Sequence, residues 1–110
     1  MVQYEFLDAS FGALADPTRR GILEHLGRGP ATVSELAERF EMTLTGIKKH
    51  IGLLEEAGMV VTEKRGRTRY CKLAAGVLDR ETAWMQNYRR ALEARMDRLA
   101  EFLERTEQDE

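Results

Sequence analysis

The sequence predicts a mainly helical domain of five helices with one small β-hairpin of two strands. Three observations lead to this fold class. Apolar residues recur at helical spacing through most of the 110 residues, and capping residues precede three of the predicted helices. Residues 59–73 differ, because β-forming residues alternate there on either side of a glycine turn. A chain of this length suits one domain, which we expect to span residues 1–110.

The first two helices are predicted by apolar spacing and by a proline restart. Asp16 stands immediately before Pro17, and this order is typical of a helix N-cap followed by a proline in the first turn. The second helix therefore begins at Pro17 and ends at the turn-forming residues 27–30. The apolar face of the first helix, over residues 1–15, consists of Tyr4, Leu7, Phe11 and Leu14.

Two short helices separated by a brief turn are predicted over residues 32–58. Thr32 and Glu35 form a capping box for the first of them. Thr43 is expected to cap the second, and Gly58 to end it in the left-handed region. This arrangement, with adjacent lysines on the second helix, is typical of a helix-turn-helix that enters a DNA major groove. An ordinary helical hairpin has the same periodicity.

The middle of the chain is basic and its two ends are acidic. Residues 43–73 contain seven Lys or Arg and three acidic residues, for a net charge of +4, whereas the segments on either side each have a net charge of −3. Lys64, Arg65 and Arg67 surround the glycine turn, where they repel one another unless phosphates lie nearby. A basic helix followed by a basic hairpin is the order of a winged helix. The charge distribution alone would equally fit a solvated face.

The residues expected to contact double-stranded DNA lie on the basic helix and at the hairpin tip. The helix would enter a major groove, and the tip would lie on phosphates or in the adjacent minor groove. His50 lies beside the buried stripe of the helix, so a half-buried, hydrogen-bonded histidine is favoured over a base contact or a pH switch. The expected contact residues are Thr43, Leu44, Thr45, Lys48, Lys49, His50, Lys64, Arg65 and Arg67.

The last helix is predicted over residues 80–104 and carries an apolar stripe about 37 Å long. A core of this size cannot cover so long a stripe, so we expect a second copy of the chain to bury part of it. Trp84 and Tyr88 would fill this interface, or line an apolar pocket between subunits for a small-molecule effector. Residues 105–110 are expected to form a frayed acidic tail. The expected interface residues are Tyr4, Leu7, Phe11, Trp84, Met85, Tyr88, Leu92, Met96, Leu99 and Leu103.

Several functional classes are not indicated by the sequence. No apolar run approaches the roughly 20 residues of a membrane span, and the first residues lack the order of a signal peptide. One cysteine, Cys71, allows no internal disulfide, which favours a cytoplasmic protein, and we expect its thiol to be buried and inert. No nucleophile–base pair, phosphate-binding glycine loop or metal-ligand cluster points to an enzyme, a cofactor or a metal site.

Four stretches together resemble the ArsR/SmtB-type family of winged helix-turn-helix repressors. They are Ala-Leu-Ala-Asp-Pro-Thr-Arg-Arg-Gly-Ile-Leu at residues 13–23, Thr-Val-Ser-Glu-Leu-Ala at residues 32–37, Lys-His-Ile with Leu-Leu-Glu-Glu-Ala-Gly within residues 49–58, and Gly66-Arg67 with Tyr70. The resemblance covers nearly the whole chain. It implies a homodimer whose first and last helices form the interface, and which represses transcription until an effector binds.

Some positions depart from the family pattern. The third helix has no cysteine where founding members carry a Cys-x-Cys pair, and residues 74–110 have no histidine, so the resemblance is to a non-metal branch. Lys48 stands where the family usually has serine, which should strengthen non-specific phosphate affinity. Leu44 stands where a polar residue is common, and would contact a thymine methyl group or pack inward.

These observations lead to one main hypothesis and one alternative. The first is a homodimeric, sequence-specific transcriptional repressor that binds an inverted repeat in DNA, with half-sites about one helical turn apart. The alternative is a winged-helix module that binds another protein through its acidic ends and apolar stripe, with no specific DNA site. Replacing Lys48 and Lys49 by alanine distinguishes the two, because it should abolish DNA affinity and leave protein binding unchanged.

Overall fold

The computed structural model describes the backbone of residues 2–108 and the side chains of residues 6–108. Within these residues it contains five helices and three strands, so the predicted mainly helical fold is confirmed. In chain order the elements are α1 (Val2–Leu14), α2 (Pro17–Leu26), β1 (Ala31–Thr32), α3 (Val33–Arg39), α4 (Leu44–Glu56), β2 (Val60–Arg65), β3 (Thr68–Leu73) and α5 (Asp79–Gln108). They form two compact units, Met1–Leu78 and Asp79–Glu110.

Three helices begin at the N-caps that the sequence predicts. The side chains of Asp16, Thr32 and Thr43 each accept a hydrogen bond from the backbone N–H three residues later, at 3.0, 3.0 and 3.1 Å. α4 is followed, as expected, by Gly58, whose φ of +73° is easily reached by glycine. The N–H groups of Gly58 and of the next residue donate to carbonyls of the last helical turn, at 2.9 and 3.0 Å, in the pattern of a Schellman motif.

The predicted two-stranded hairpin is confirmed as β2 and β3, and the β-sheet contains in addition a third strand, β1, that the sequence does not predict. β2 and β3 pair antiparallel, from Val60 opposite Leu73 to Arg65 opposite Thr68. β1 pairs antiparallel with the other edge of β3, which gives the order β1-β3-β2. Two residues are too few to show the alternation that reveals a strand in a sequence. β1 therefore owes its conformation to its partner strand.

The core of the first unit lies between α2, α3, α4 and the base of the hairpin. The stripe of α4 that the sequence predicts as buried, Ile47, Ile51 and Leu54, is at most 3% exposed. Complete burial of a leucine or isoleucine side chain stabilises the folded state by about 1.5–3 kcal/mol. This stripe therefore fixes the orientation of α4. The large, fully buried side chains include Ile22, Leu36, Ile47, Leu54, Met59 and Cys71.

Cys71 on β3 is fully buried, as the sequence predicts. Burial and, to a smaller extent, the Glu55 carboxylate raise the pKa of its thiol to about 11, while Arg69 acts in the opposite direction. The thiolate is the reactive form of cysteine, so this thiol is inert at neutral pH. Cys71 is accordingly a packing residue of the hairpin.

α1 bears three of the positions expected at a dimer interface. Tyr4 lies outside the residues whose side chains are described. Leu7 is only 7% exposed within a single chain, and Phe11 is half-buried. The side chain of Leu7 is therefore largely buried within the protomer, and its place in a dimer interface stays a prediction.

The second unit consists of α5, a helix of 30 residues and about 45 Å. The helix predicted over residues 80–104 is confirmed, and it continues through residues 105–108, which the sequence assigns to a frayed tail. The rings of Trp84 and Tyr88 are stacked, with centroids 5.4 Å apart. None of the described helices combines the length and apolar character needed to cross a membrane. Eight large apolar side chains of α5 are 39–67% exposed, namely Trp84, Met85, Tyr88, Leu92, Met96, Leu99, Phe102 and Leu103.

Candidate nucleic-acid interface

A groove of about 390 Å³ separates α4 from the hairpin and the start of α3. Four of its lining side chains are cations, one from α4 (Lys48) and three from the hairpin (Lys64, Arg67 and Arg69). None of the nine lining residues is acidic, so the groove attracts anions such as phosphates. The complete lining consists of Thr32, Val33, Ser34, Leu44, Lys48, Lys64, Arg67, Thr68 and Arg69.

α4 forms one wall of the groove with its first two turns. Leu44 lines the groove and is 50% exposed, so inward packing of this side chain is excluded. Thr45, Lys48 and Lys49 are also exposed, and of these Lys48 lies in the groove lining. The hydroxyl oxygen of Thr43 accepts the capping hydrogen bond, which leaves the hydroxyl proton for donation to a ligand.

The hairpin forms the opposite wall, and its strand register decides which cations face the groove. Lys64 is paired with Arg69, and Arg65 with Thr68. Successive side chains of a strand lie on opposite faces, so Lys64 and Arg69 share one face while Arg65 lies on the other. Thr68, although paired with Arg65, stands next to the turn and still lines the end of the groove. Gly66, with a φ of +62°, opens the two-residue turn that places Arg67 at the tip.

Arg65 lies on the outer face of the hairpin and not in the groove. Its Nη2 is 3.3 Å from Glu63 Oε2, and its guanidinium carbon is 5.6 Å from the centroid of the Tyr70 ring. With Pro30 and Lys72, these residues line a separate shallow cavity of about 230 Å³. The structure therefore does not bring Arg65 together with the other cations expected to contact DNA, because strand alternation separates them.

Arg69 is a groove cation that the sequence analysis does not single out. Its Nη1 donates to Thr62 Oγ1 at 3.0 Å, and that hydroxyl donates to Glu55 Oε2 at 3.1 Å. This chain of hydrogen bonds ties the guanidinium to the last turn of α4. Arg69 alternates with Cys71 and Leu73 along β3, and residues two apart in a strand share a face. This pattern in the sequence could have placed Arg69 on the same face as Cys71 and Leu73.

Two exposed hydroxyl groups at the groove are also absent from the predicted contact residues. Ser34 belongs to the first turn of α3, and Thr68 begins β3. Hydroxyl groups commonly donate to phosphate oxygens in protein–DNA complexes. Pairing of β1 with β3 brings the start of α3 beside the hairpin, and this long-range contact has no local pattern in the sequence.

His50 is not among the residues that line the groove. Its side chain is 19% exposed, and its Nδ1 lies 3.1 Å from Arg19 Nη1 and 3.9 Å from Asp16 Oδ2. The half-buried, hydrogen-bonded role favoured from the sequence fits this position. The backbone N–H of Arg19 is the main cause that lowers the pKa of Asp16 below its usual 3.8, with smaller contributions from the Arg19 and His50 side chains.

Similarity to known proteins identifies the family. A protein-family model described as a helix-turn-helix domain matches residues 14–63, which include α2, α3 and α4. The transcriptional repressor SdpR of Bacillus subtilis (strain 168) is 35% identical over 78 residues, which cover 71% of this chain and 87% of SdpR. The crystal structure of an ArsR family transcriptional regulator is 46% identical, with a TM-score of 0.76 over 81% of this chain and 92% of that one. This chain belongs to the ArsR/SmtB-type family.

As a member of the ArsR/SmtB-type family, the chain is a DNA-binding transcriptional regulator. A further similar structure is the solution NMR structure of a homodimeric winged helix-turn-helix DNA-binding domain from Mycobacterium bovis. It is 26% identical, with a TM-score of 0.65, and the match covers 77% of this chain and 79% of that chain. In this chain, the elements of the winged helix-turn-helix fold form the groove between α4 and the hairpin.

The described part of this ArsR/SmtB-type chain offers no evident metal site. Within it, no group of three or more His, Cys, Asp or Glu side chains is placed to hold an ion. His25 lies in a small cavity of about 110 Å³ between α2 and α3, together with Glu24, Arg28 and Arg39. The charged groups at the groove itself are cations, which suit phosphate and not metal ligation.

Proposed function

We propose that this ArsR-family regulator is a homodimeric repressor that binds an inverted repeat in double-stranded DNA. The observation that carries the proposal is the groove between α4 and the hairpin, in which four cations and no acidic residue meet. The chain as a whole has a net charge of −2, so the positive charge is concentrated at this groove and does not reflect the overall composition. SdpR, a similar protein, is named a transcriptional repressor, which supports repression over activation.

In the proposed complex, the start of α4 lies in a major groove and the hairpin lies on the flanking backbone. Thr45 and Leu44 would contact base edges, with Leu44 against a thymine methyl group. Lys48, Arg67 and Arg69 would bind phosphates, which fix the register of the protein on the duplex. Lys49 is exposed beside the groove and would contact the next phosphate.

The apolar side of α5 supports the dimer. Eight large apolar side chains remain 39–67% exposed along this single helix, which is more apolar surface than a monomeric soluble protein usually presents in one stripe. A second chain would bury it, and the similar domain from Mycobacterium bovis is homodimeric. A two-fold axis between protomers places the two α4 helices in successive major grooves, about one helical turn apart.

The proposal also covers location and regulation. The protein would act in the cytoplasm, where the DNA is accessible, and would catalyse no reaction. A small-molecule effector would release the DNA by favouring a dimer geometry in which the two α4 helices no longer match successive grooves. The stacked pair Trp84 and Tyr88 on α5 is the aromatic surface that such an apolar effector would contact.

Footprinting and binding on the DNA upstream of the chain's own gene test the proposal. We expect two protected half-sites, a dimer in light scattering, and a log–log salt slope near −7 if about eight phosphates are neutralised. Replacing both Lys48 and Lys49 by alanine should abolish binding while the fold persists. A monomer with a flat salt response would reject the proposal, and capture of a protein partner that persists in the double variant would favour the protein-binding alternative.

A further inference from the structure

Arg19 occupies the junction of α1, α2 and α4. Its Nε donates to the carbonyl oxygen of Ala13 at 2.8 Å, and its Nη2 donates to that of Gly12 at 3.2 Å. These carbonyls belong to the last turn of α1, where the carbonyl oxygen of Gly12 also accepts from the N–H of Ala15 at 3.3 Å. The third nitrogen, Nη1, lies 3.1 Å from His50 Nδ1 on α4. One guanidinium group therefore joins the end of α1 to the helix that forms a wall of the groove.

The hydrogen bond between Arg19 and His50 determines the protonation state of the imidazole. A guanidinium group has no acceptor and stays protonated at physiological pH, so it must donate and His50 Nδ1 must accept. His50 is thus neutral in this arrangement, with its proton on Nε2. A second proton would occupy Nδ1, remove the acceptor, and set an imidazolium cation against the guanidinium cation.

The other charged groups at this junction come from three helices. Asp16 of the α2 cap is the one carboxylate within 4.0 Å of an imidazole nitrogen of His50 among the described side chains. Asp8 of α1 and Glu56 of α4 line, with Arg19, an adjacent cavity of about 290 Å³. α3 and β2 also pack on α4 and contribute no such carboxylate within the described residues. A protonated His50 would therefore turn from Arg19 toward Asp16.

We infer that Arg19 is a positioning residue for DNA binding, which holds α4 against the end of α1 through neutral His50, and that protonation of His50 breaks this link and weakens binding. The inference rests on the proposed function. Histidine side chains gain a proton between about pH 8 and 5, whereas Asp16 stays ionised over that range. The inference assigns His50 to the orientation of α4 and not to DNA contact.

The direction of the pH effect separates these two roles. If His50 touched a phosphate, its added positive charge in acid would strengthen binding and steepen the salt dependence. If His50 holds α4 through Arg19, acid should weaken binding although the protein gains positive charge. The chain contains two histidines, so His25 on α2 provides a matched control.

The experiment measures the affinity for a labelled duplex of the chain's own upstream DNA between pH 7.5 and 5.5 at constant ionic strength. For the wild type we expect an affinity loss of about tenfold in acid, the scale of one hydrogen bond to a charged group. His25→Asn should keep this profile. His50→Asn, which retains an acceptor near the Nδ1 position without a titrating proton, should flatten the profile to within about twofold, whatever its affinity at pH 7.5.

Arg19→Lys completes the set, because one ammonium group cannot reach three acceptors in the geometry of a guanidinium. It should bind about tenfold more weakly at every pH, with a flat profile. Thermal unfolding at each pH confirms that the variants are folded where affinity is measured. Equal profiles for wild type and His50→Asn, or stronger wild-type binding in acid, would overturn the inference. Absence of wild-type binding at every pH would instead overturn the proposed function, and this inference with it.

Discussion

Arg69 and Arg65 provide a matched test of the groove, because they are the same residue type on opposite faces of one hairpin. Arg69 lines the groove with Lys64, whereas Arg65 lies outside it beside Glu63 and Tyr70. Replacing Arg69 by alanine should therefore weaken DNA binding and flatten its salt dependence. Replacing Arg65 by alanine removes the same charge from the protein and should have little effect on either quantity.

The size of the effect follows from counterion release. Each phosphate contact contributes about 0.9 to the log–log salt slope, so two copies of Arg69 in a dimer would contribute about 1.8. If wild type and Arg69→Ala bind equally at 1 M salt, this difference of about 1.8 in slope means that the variant binds about thirtyfold more weakly than wild type at roughly 0.15 M salt. Arg65 acts only through long-range charge, which salt screens beyond about 8–10 Å, so we expect a loss of threefold or less.

Fluorescence anisotropy with a labelled operator duplex, at four or more salt concentrations, measures both quantities for wild type and the two variants. Thermal unfolding of each variant checks that the hairpin is intact. Equal losses for Arg69→Ala and Arg65→Ala, or a larger loss for Arg65→Ala, would refute the assignment of faces. A loss for Arg69→Ala with an unchanged salt slope would mean that Arg69 does not contact a phosphate.

Three further predictions concern stability. Leu54→Ala should destabilise the folded state by about 2–5 kcal/mol in denaturant unfolding, whereas Leu53→Ala, at a side chain that is 39% exposed, should cost less than about 1 kcal/mol. Gly52→Ala should raise the melting temperature, since no heavy atom lies within 4 Å of the added Cβ and alanine is favoured over glycine inside a helix by about 1 kcal/mol. Asp16→Asn keeps a good N-cap but removes the carboxylate, whose pKa is lowered below 3.8 in the folded state. The stabilisation by this charge is present above pH 3.8 and is lost as the pH falls through the lower folded-state pKa, so the wild-type advantage in melting temperature should be largest near neutral pH and disappear in acid.

The helical part of the fold follows from local chemistry, and the sequence predicts it well. Asp16, Thr32 and Thr43 cap the helices that they were expected to cap, because an N-cap depends on residues only three positions apart. The buried stripe of α4 follows from helical periodicity in the same way. Helical periodicity also predicts that Lys48 lies away from the buried stripe of α4, and its side chain is exposed at the groove between α4 and the hairpin.

The parts that the sequence does not predict depend on long-range pairing. β1 becomes a strand only beside β3, and the position of Ser34 at the groove depends on that pairing. Which of Arg65 and Arg69 faces the groove depends on which face of the hairpin packs on the core. The residues around the turn do not show this by themselves. Spacing likewise identifies the apolar face of α1 that includes Leu7, but it does not identify what covers that face.

Because of the strand register, the charge of the groove depends on whether an odd or an even number of residues is inserted into a strand of the hairpin. One extra residue between Arg69 and Cys71 would move the Arg69 side chain to the opposite face of the hairpin, and would remove a cation from the groove without removing any charged residue from the hairpin. Two extra residues in each strand would restore the side and lengthen the tip by about 7 Å. A change of two residues in each strand would therefore keep Lys64 and Arg69 on the groove face, whereas a change of one residue would move a cation to the opposite face.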